Sequence, residues 1–198
     1  MKKKYLLEVR NLSCERNYKL LFKKISFKLF PGKLVLINGN NGSGKTSLLL
    51  CIAEVLNFKG QLNINLKQDH KLGYVGHLNA ANEIETVEDF LIFWKNVYNF
   101  VGDIKHIVNY FNLKKYLEQP INLLSFGQKK KLSFARLIMA NAKIWLLDEP
   151  ISGLDTKTKD LILNLIKRHC KDGGGIIATS HQNLEAYDKK KVIRINID

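Results

Sequence analysis

Three features of the sequence predict an α/β domain built around a mainly parallel sheet. Short, largely apolar runs at residues 34–37, 143–147 and 176–179 are bounded by turn formers or glycines, the pattern of strands buried on both faces. Segments with apolar residues at helical spacing lie between these runs, so strands and helices alternate along the chain. The opening third differs: apolar and polar residues alternate there as in half-buried strands, which predicts an N-terminal β part ahead of the α/β core.

Taken in order, residues 6–9 form the first strand and residues 25–29 the second, where Ile25, Phe27 and Leu29 alternate with Ser26 and Lys28. Pro31 and Gly32 break the chain before the buried strand at 34–37. A glycine-rich loop follows, then a helical pattern over 45–55, then a further strand marked by Leu62, Ile64 and Leu66. Thr86 with Asp89 three residues on marks a helix start, and Val87, Phe90, Leu91, Trp94 and Tyr98 recur at helical spacing after it. Residues 103–117 continue in that style, so a helical insertion occupies roughly 80–120, and with the helical pattern over 129–136 the helical part spans about 80–140. A strand at 143–147, a helix at 161–169 closed by Gly173, Gly174 and Gly175, a strand at 176–179 and an edge-like strand at 191–197 complete the order. With 198 residues, no internal repeat and no linker rich in Ser, Gly or Pro, the expectation is a single domain over 1–198.

Composition excludes several classes. Hydrophobic residues make up 45% and charged residues 25%, which is ordinary globular usage and argues against disorder. Three cysteines, Cys14, Cys51 and Cys170, form no CxxC pair, so neither a disulfide framework nor a thiolate zinc site is indicated, and a reducing compartment is expected. No run of 18 uncharged apolar residues occurs, so no membrane span is expected, and Glu8 and Arg10 stand where a secretory leader needs an apolar region. The net charge of +14 comes from 27 Lys and 5 Arg against 18 acidic residues. Such a surface attracts any anion, whether nucleic acid, acidic lipid or nucleotide, and an A+T-rich coding bias explains the lysine excess equally well.

The chemistry is carried by two strand ends. Gly39, Asn40, Asn41, Gly42, Ser43, Gly44, Lys45 and Thr46 fit the pattern G-x-x-x-x-G-K-[ST], and they lie between a buried strand and a helix, with Ser47 directly after. Glycines let backbone amides converge on an anion, and the helix N-terminus aims free N–H groups and its positive dipole end at the same point. Lys45 adds a mobile charge for the β- and γ-phosphates, and the Thr46 hydroxyl suits Mg2+. The apolar strand at 144–147 ends in Asp148 and Glu149, and strand ends face the ligand crevice of open α/β sheets. Asp148 suits the Mg2+ shell, and Glu149 suits a base or orienter of the attacking water.

Leu124, Ser125, Phe126, Gly127 and Gln128 precede a helical pattern and resemble the LSGGQ signature of ATP-binding-cassette (ABC) ATPases. Ser152, Gly153, Leu154 and Asp155 resemble that family's D-loop, and His181, after the strand at 176–179, resembles its switch histidine. The resemblance covers residues 6 to about 195 and implies a P-loop NTPase (RecA-like) core with an N-terminal antiparallel β part and a helical ABC-specific insertion. It also implies ATP and Mg2+ as cofactors and a head-to-tail homodimer that sandwiches two ATP molecules. Lys45, Glu149 and His181 would then be catalytic, with Ser125, Gly127, Gln128 and Asp155 contributing to the nucleotide sites. Ser125 and the Gly127 amide would meet the γ-phosphate across the interface, and Gln128 would cap the opposite helix end.

Three positions depart from the family pattern. Phe126 replaces the signature's first glycine, bringing a bulky ring and removing freedom at φ > 0. His77 stands where the segment from Leu72 onward would end in the Gln that senses Mg2+, making it a metal-site candidate. Arg16 stands where an aromatic residue stacks on adenine and offers a guanidinium plane instead, with Tyr18 as a substitute. Together with the small size, these departures resemble the ATP-binding subunits of cytochrome c maturation systems. That resemblance implies separate transmembrane subunits of the CcmB and CcmC type and release of a haem-loaded chaperone. It also implies a peripheral location on the cytoplasmic face of the inner membrane, or on the matrix face if the gene is organellar. Alternatives are an ABC ATPase serving another substrate, a binding-only module, and a soluble nucleic-acid ABC ATPase; the last is disfavoured because two cassettes or a long coiled coil do not fit in 198 residues.

Overall fold

The structure is a computed structural model and describes residues 5–16, 18–66, 71–76, 84–180 and 191–197. Its strands are β1 (Leu7–Arg16), β2 (Lys19–Leu29), β3 (Leu34–Asn38), β4 (Lys59–Ile64), β5 (Lys71–Val75), β6 (Ala142–Asp148), β7 (Gly175–Thr179) and β8 (Val192–Asn196). Its α-helices are α1 (Lys45–Ile52), α2 (Val87–Val97), α3 (Ile104–Tyr110), α4 (Phe126–Met139) and α5 (Thr156–Lys171). Strands β2, β1 and β4 form an antiparallel sheet in that order. The second sheet, in the order β5-β6-β7-β3-β8, is parallel throughout.

The parallel sheet separates two apolar cores, and side-chain alternation shows why its strands read as continuous apolar runs. Leu34 and Leu36 of β3, Trp145 and Leu147 of β6, and Ile176 and Ala178 of β7 face a core shared with α2, α3, α4 and α5. Val35 and Ile37, Ile144 and Leu146, and Ile177 face the other core, shared with α1 and the antiparallel sheet. Both faces are covered, so neither needs polar residues. Each fully buried Leu or Ile contributes roughly 1.5–3 kcal/mol by leaving water.

Several elements differ from expectation. The hairpin β1–β2 runs on to Arg16 and Lys19, past the point where simple alternation lapses, because its register shifts between Val9 and Leu12 and again around Cys14. Helix α1 stops at Ile52, short of 55: Glu54 adopts a left-handed φ of 57° and the amide of Val55 bonds back to the Leu50 carbonyl. Leu66 lies beyond β4. The helical pattern over 103–117 resolves into α3 and a short 3-10 turn at Lys114–Tyr116. The edge strand β5 was not anticipated, because Gly73 interrupts its short apolar run; α4 packs so closely there that a Cβ on Gly73 would collide with the Leu137 side chain. The edge position expected for the last strand is observed, with β8 pairing only β3 among the described residues.

Candidate functional site

The loop between β3 and α1 carries the phosphate-binding motif. Gly39 sits so close to β8 that a Cβ would strike the Ile197 carbonyl and lie 2.5 Å from Ser43 Oγ. Gly44 is the N-cap of α1 with φ of 95°, and a Cβ there would lie 3.2 Å from Leu21 and Phe22 of β2. The glycines thus fit the loop between two sheets while holding a backbone that L-residues disfavour.

Helix starts distinguish this loop from the rest of the fold. Among the described residues, α2, α3, α4 and α5 begin with a side chain, from Thr86, Asp103, Ser125 and Asp155, that accepts a first-turn amide. Helix α1 has no side-chain cap. The amides of Lys45, Thr46 and Ser47 therefore point outward with the positive dipole end, as anion binding requires. Lys45 is nearly buried, and its ammonium donates to the carbonyls of Gly39 at 2.9 Å and Asn40 at 2.8 Å.

Strand β6 delivers the acids to the same place. Thr46 Oγ1 donates to Asp148 Oδ2 at 2.8 Å, and Thr179 Oγ1, from the end of β7, donates to Asp148 Oδ1 at 2.7 Å. Thr179 Oγ1 also accepts the Glu149 amide at 3.1 Å, and Glu149 holds a left-handed φ of 46°. Asp148, 4% exposed, thus keeps its charge out of water with a hydroxyl on each oxygen, and each such charge-assisted bond is worth about 1.5–3 kcal/mol. A cavity of about 280 Å3 opens here, lined by Leu21, Asn41, Gly42, Gly44, Lys45, Thr46, Ser47, Asp148 and Glu149. The hard oxygens of Thr46 and Asp148, converging at 2.8 Å, fit an Mg2+ ion.

The signature forms a second cluster. Ser125 caps α4, its Oγ accepting the Gln128 amide at 3.3 Å while Gln128 Oε1 accepts the Ser125 amide at 2.7 Å. Within one chain Gln128 is thus engaged at the start of its own helix. Phe126 opens α4 in a helical conformation and is not among the residues with positive φ, so the freedom at φ > 0 that a glycine would bring is not used at this position. Its ring lies 3.5 Å from where a Cβ on Gly153 would stand. A Cβ on Gly127 would lie 3.6 Å from Asp155 Oδ2, so signature and D-loop are neighbours. Asp155 accepts the Thr158 amide at 3.0 Å, and this bond is the main cause of its lowered pKa.

The structure therefore brings Lys45, Thr46, Asp148 and Glu149 together and sets Ser125, Gly127, Gln128 and Asp155 apart as a group. Arg16 is exposed at the end of β1 and is not among the residues lining the cavity. His77 and His181 lie outside the described residues. Three contributors escaped the sequence: Leu21 on the cavity wall, Thr179 between the two acids, and Lys130 on α4, fully buried with its ammonium 3.2 Å from the Gly76 carbonyl. A strand ending in a hydroxyl residue was the one signal available for Thr179.

A phosphate loop, a strand-end acid pair and a signature helix on this sheet define a nucleotide-hydrolysing cassette, and comparison with known proteins agrees. The ABC transporter family matches residues 22–152. The chain belongs to the ABC transporter family, as an ATP-binding domain with ATPase activity. It is 37% identical over 189 residues to the cytochrome c biogenesis ATP-binding export protein CcmA of Wolbachia pipientis, covering 91% of each chain. The CcmA of Bartonella henselae is 35% identical over 196 residues, covering 94% of this chain and 93% of that protein. In fold, the chain resembles the solved ATP-binding subunit of an ABC transporter with a TM-score of 0.83 at 20% identity, over 97% of this chain and 88% of that one.

Proposed function

We propose that the chain is the ATP-hydrolysing subunit of a transporter-type complex of the CcmA kind, whose ATP cycle serves haem handling and the release of a haem-loaded chaperone in cytochrome c maturation. The observation that carries the ATPase half is the chain of contacts from Thr46 through Asp148 to Thr179 and Glu149 beside the open start of α1. The haem half is supported by the similarity to CcmA proteins.

In this reading the amides of residues 42–47 and the Lys45 ammonium hold the phosphate tail, Lys45 exchanging its loop carbonyls for β- and γ-oxygens. Mg2+, when bound, is held by Thr46 and Asp148, with His77 the third candidate, and supplies charge neutralisation. Glu149 orients the water that attacks the γ-phosphorus and takes its proton as the bond to the bridging oxygen breaks. His181 steadies the γ-phosphate, and Arg16 stacks on adenine. A second copy covers the nucleotide with Ser125, Gly127 and Gln128, beside Asp155. Among the described residues no helix is long and apolar enough to cross a membrane. Attachment to the cytoplasmic face of the inner membrane, or to the matrix face in an organelle, would pass through separate subunits of the CcmB and CcmC type.

Glu149→Gln tests the mechanism. With Mg-ATP, gel filtration should show a dimer retaining ATP, and phosphate release should fall on the order of 100-fold. A monomer without retained ATP would overturn the assignment. For the haem half, the chain expressed with its cognate membrane subunits should restore haem attachment to c-type cytochromes in a bacterium lacking CcmA. Restored hydrolysis without restored cytochromes would sink that half alone.

A further inference from the structure

Lys130 lies on α4 just after the signature and is 0% exposed. Its ammonium donates to the Gly76 carbonyl, immediately past β5, at 3.2 Å, and stands 5.6 Å from the centroid of the Phe126 ring. Burial pushes its pKa down, while the charges of Asp148 and Glu149 push it back up. A lysine is rarely hidden this completely, because withdrawing an ammonium from water costs several kcal/mol unless opposite charge answers it. A Met or Leu would fill the same space between α4, β5 and β6 without that cost, so packing alone does not account for a cation here. The position of the charge suggests its use. It sits where the ends of β5 and β6 meet the helix whose first turn carries Ser125 and Gln128.

We propose that Lys130 is a positioning residue for hydrolysis: its buried ammonium ties the Gly76 strand end, one residue past the Val75–Leu147 pair that precedes Asp148 and Glu149, to the start of α4, so acids and signature move as one piece. The inference rests on the reading of Glu149 and the signature as parts of the ATP site. It makes Lys130 act through those groups, with no contact to nucleotide. Removing the charge should therefore spoil the alignment of the acids while leaving phosphate binding at α1 intact.

The full chain and its K130R, K130M and K130Q variants would be compared by ATP titration of steady-state hydrolysis and by binding of a fluorescent non-hydrolysable ATP analogue, with thermal melting as a check of folding. K130M and K130Q should keep KM and analogue affinity within about twofold and lose at least about tenfold in kcat, the size of effect a displaced catalytic group produces. K130R should keep at least about a third of kcat, since the charge remains. The proposal fails if K130M retains kcat within twofold, if K130R falls as far as K130M, or if analogue binding falls in step with kcat. It also fails if neither neutral variant folds, because the cation would then serve stability. Hydrolysis by the unaltered chain is the control: without it the reading of the site is wrong, whereas with it an unchanged K130M removes Lys130 alone.

Discussion

The phosphate loop and the signature segment both present a helix N-terminus, and they begin in opposite ways. Helix α1 starts at a left-handed glycine with no side chain answering its first amides. Helix α4 starts with a reciprocal cap in which Ser125 and Gln128 each accept the other's amide. The first is left open for a ligand, and the second is complete before any partner arrives. Ser125 Oγ accepts the Gln128 amide through a lone pair, which leaves its own O–H available to donate to a phosphate on another copy, so the cap and that contact are compatible.

Three substitutions sharpen or break this contrast. The largest effect is expected from Lys45→Ala, which removes the cation beside the open helix start: nucleotide affinity should drop and ATP hydrolysis should fall on the order of 100-fold. A loss of less than threefold, measured by calorimetric titration and phosphate release, would mean that the α1 end is not the phosphate site. Thr179→Val comes next, because it strips one hydroxyl from Asp148 and removes the hydroxyl that accepts the Glu149 amide, a cost of about 1–3 kcal/mol. Hydrolysis should fall about tenfold, with a lower melting temperature, and parental behaviour in both would show that the bridge is dispensable. The smallest effect is that of Ser125→Ala on a single chain: loss of the cap lowers stability by about 1 kcal/mol, or roughly 2–4 °C in melting temperature. Its nucleotide affinity should stay at the parental value, and a fall matching that of Lys45→Ala would collapse the distinction between the two ends.

What could be read in the sequence follows from distance along the chain. The phosphate loop is contiguous, its strand and helix flank it directly, and Asp148 and Glu149 end an apolar run, so each was visible locally. Thr46 and Asp148 are 102 residues apart, and their contact becomes visible only once β3, β7 and β6 are aligned side by side. Thr179 is invisible for the same reason: it faces Asp148 because the parallel register pairs those two positions. Lys130 read as one of several lysines on a helix, and only the approach of α4 to β5 reveals that its head is enclosed. The hairpin beyond residue 9 was missed because bulges shift which residues face inward.

Gly39 shows how a motif residue can serve two masters. Its missing side chain leaves room for the backbone at Ile197, just past β8, so alanine there would wedge apart two segments remote in sequence whether or not a nucleotide is ever bound. A cousin of this chain that had abandoned catalysis would still keep that glycine for architectural reasons. Lys45, whose ammonium meets two loop carbonyls among the described residues, is the better witness to a working enzyme.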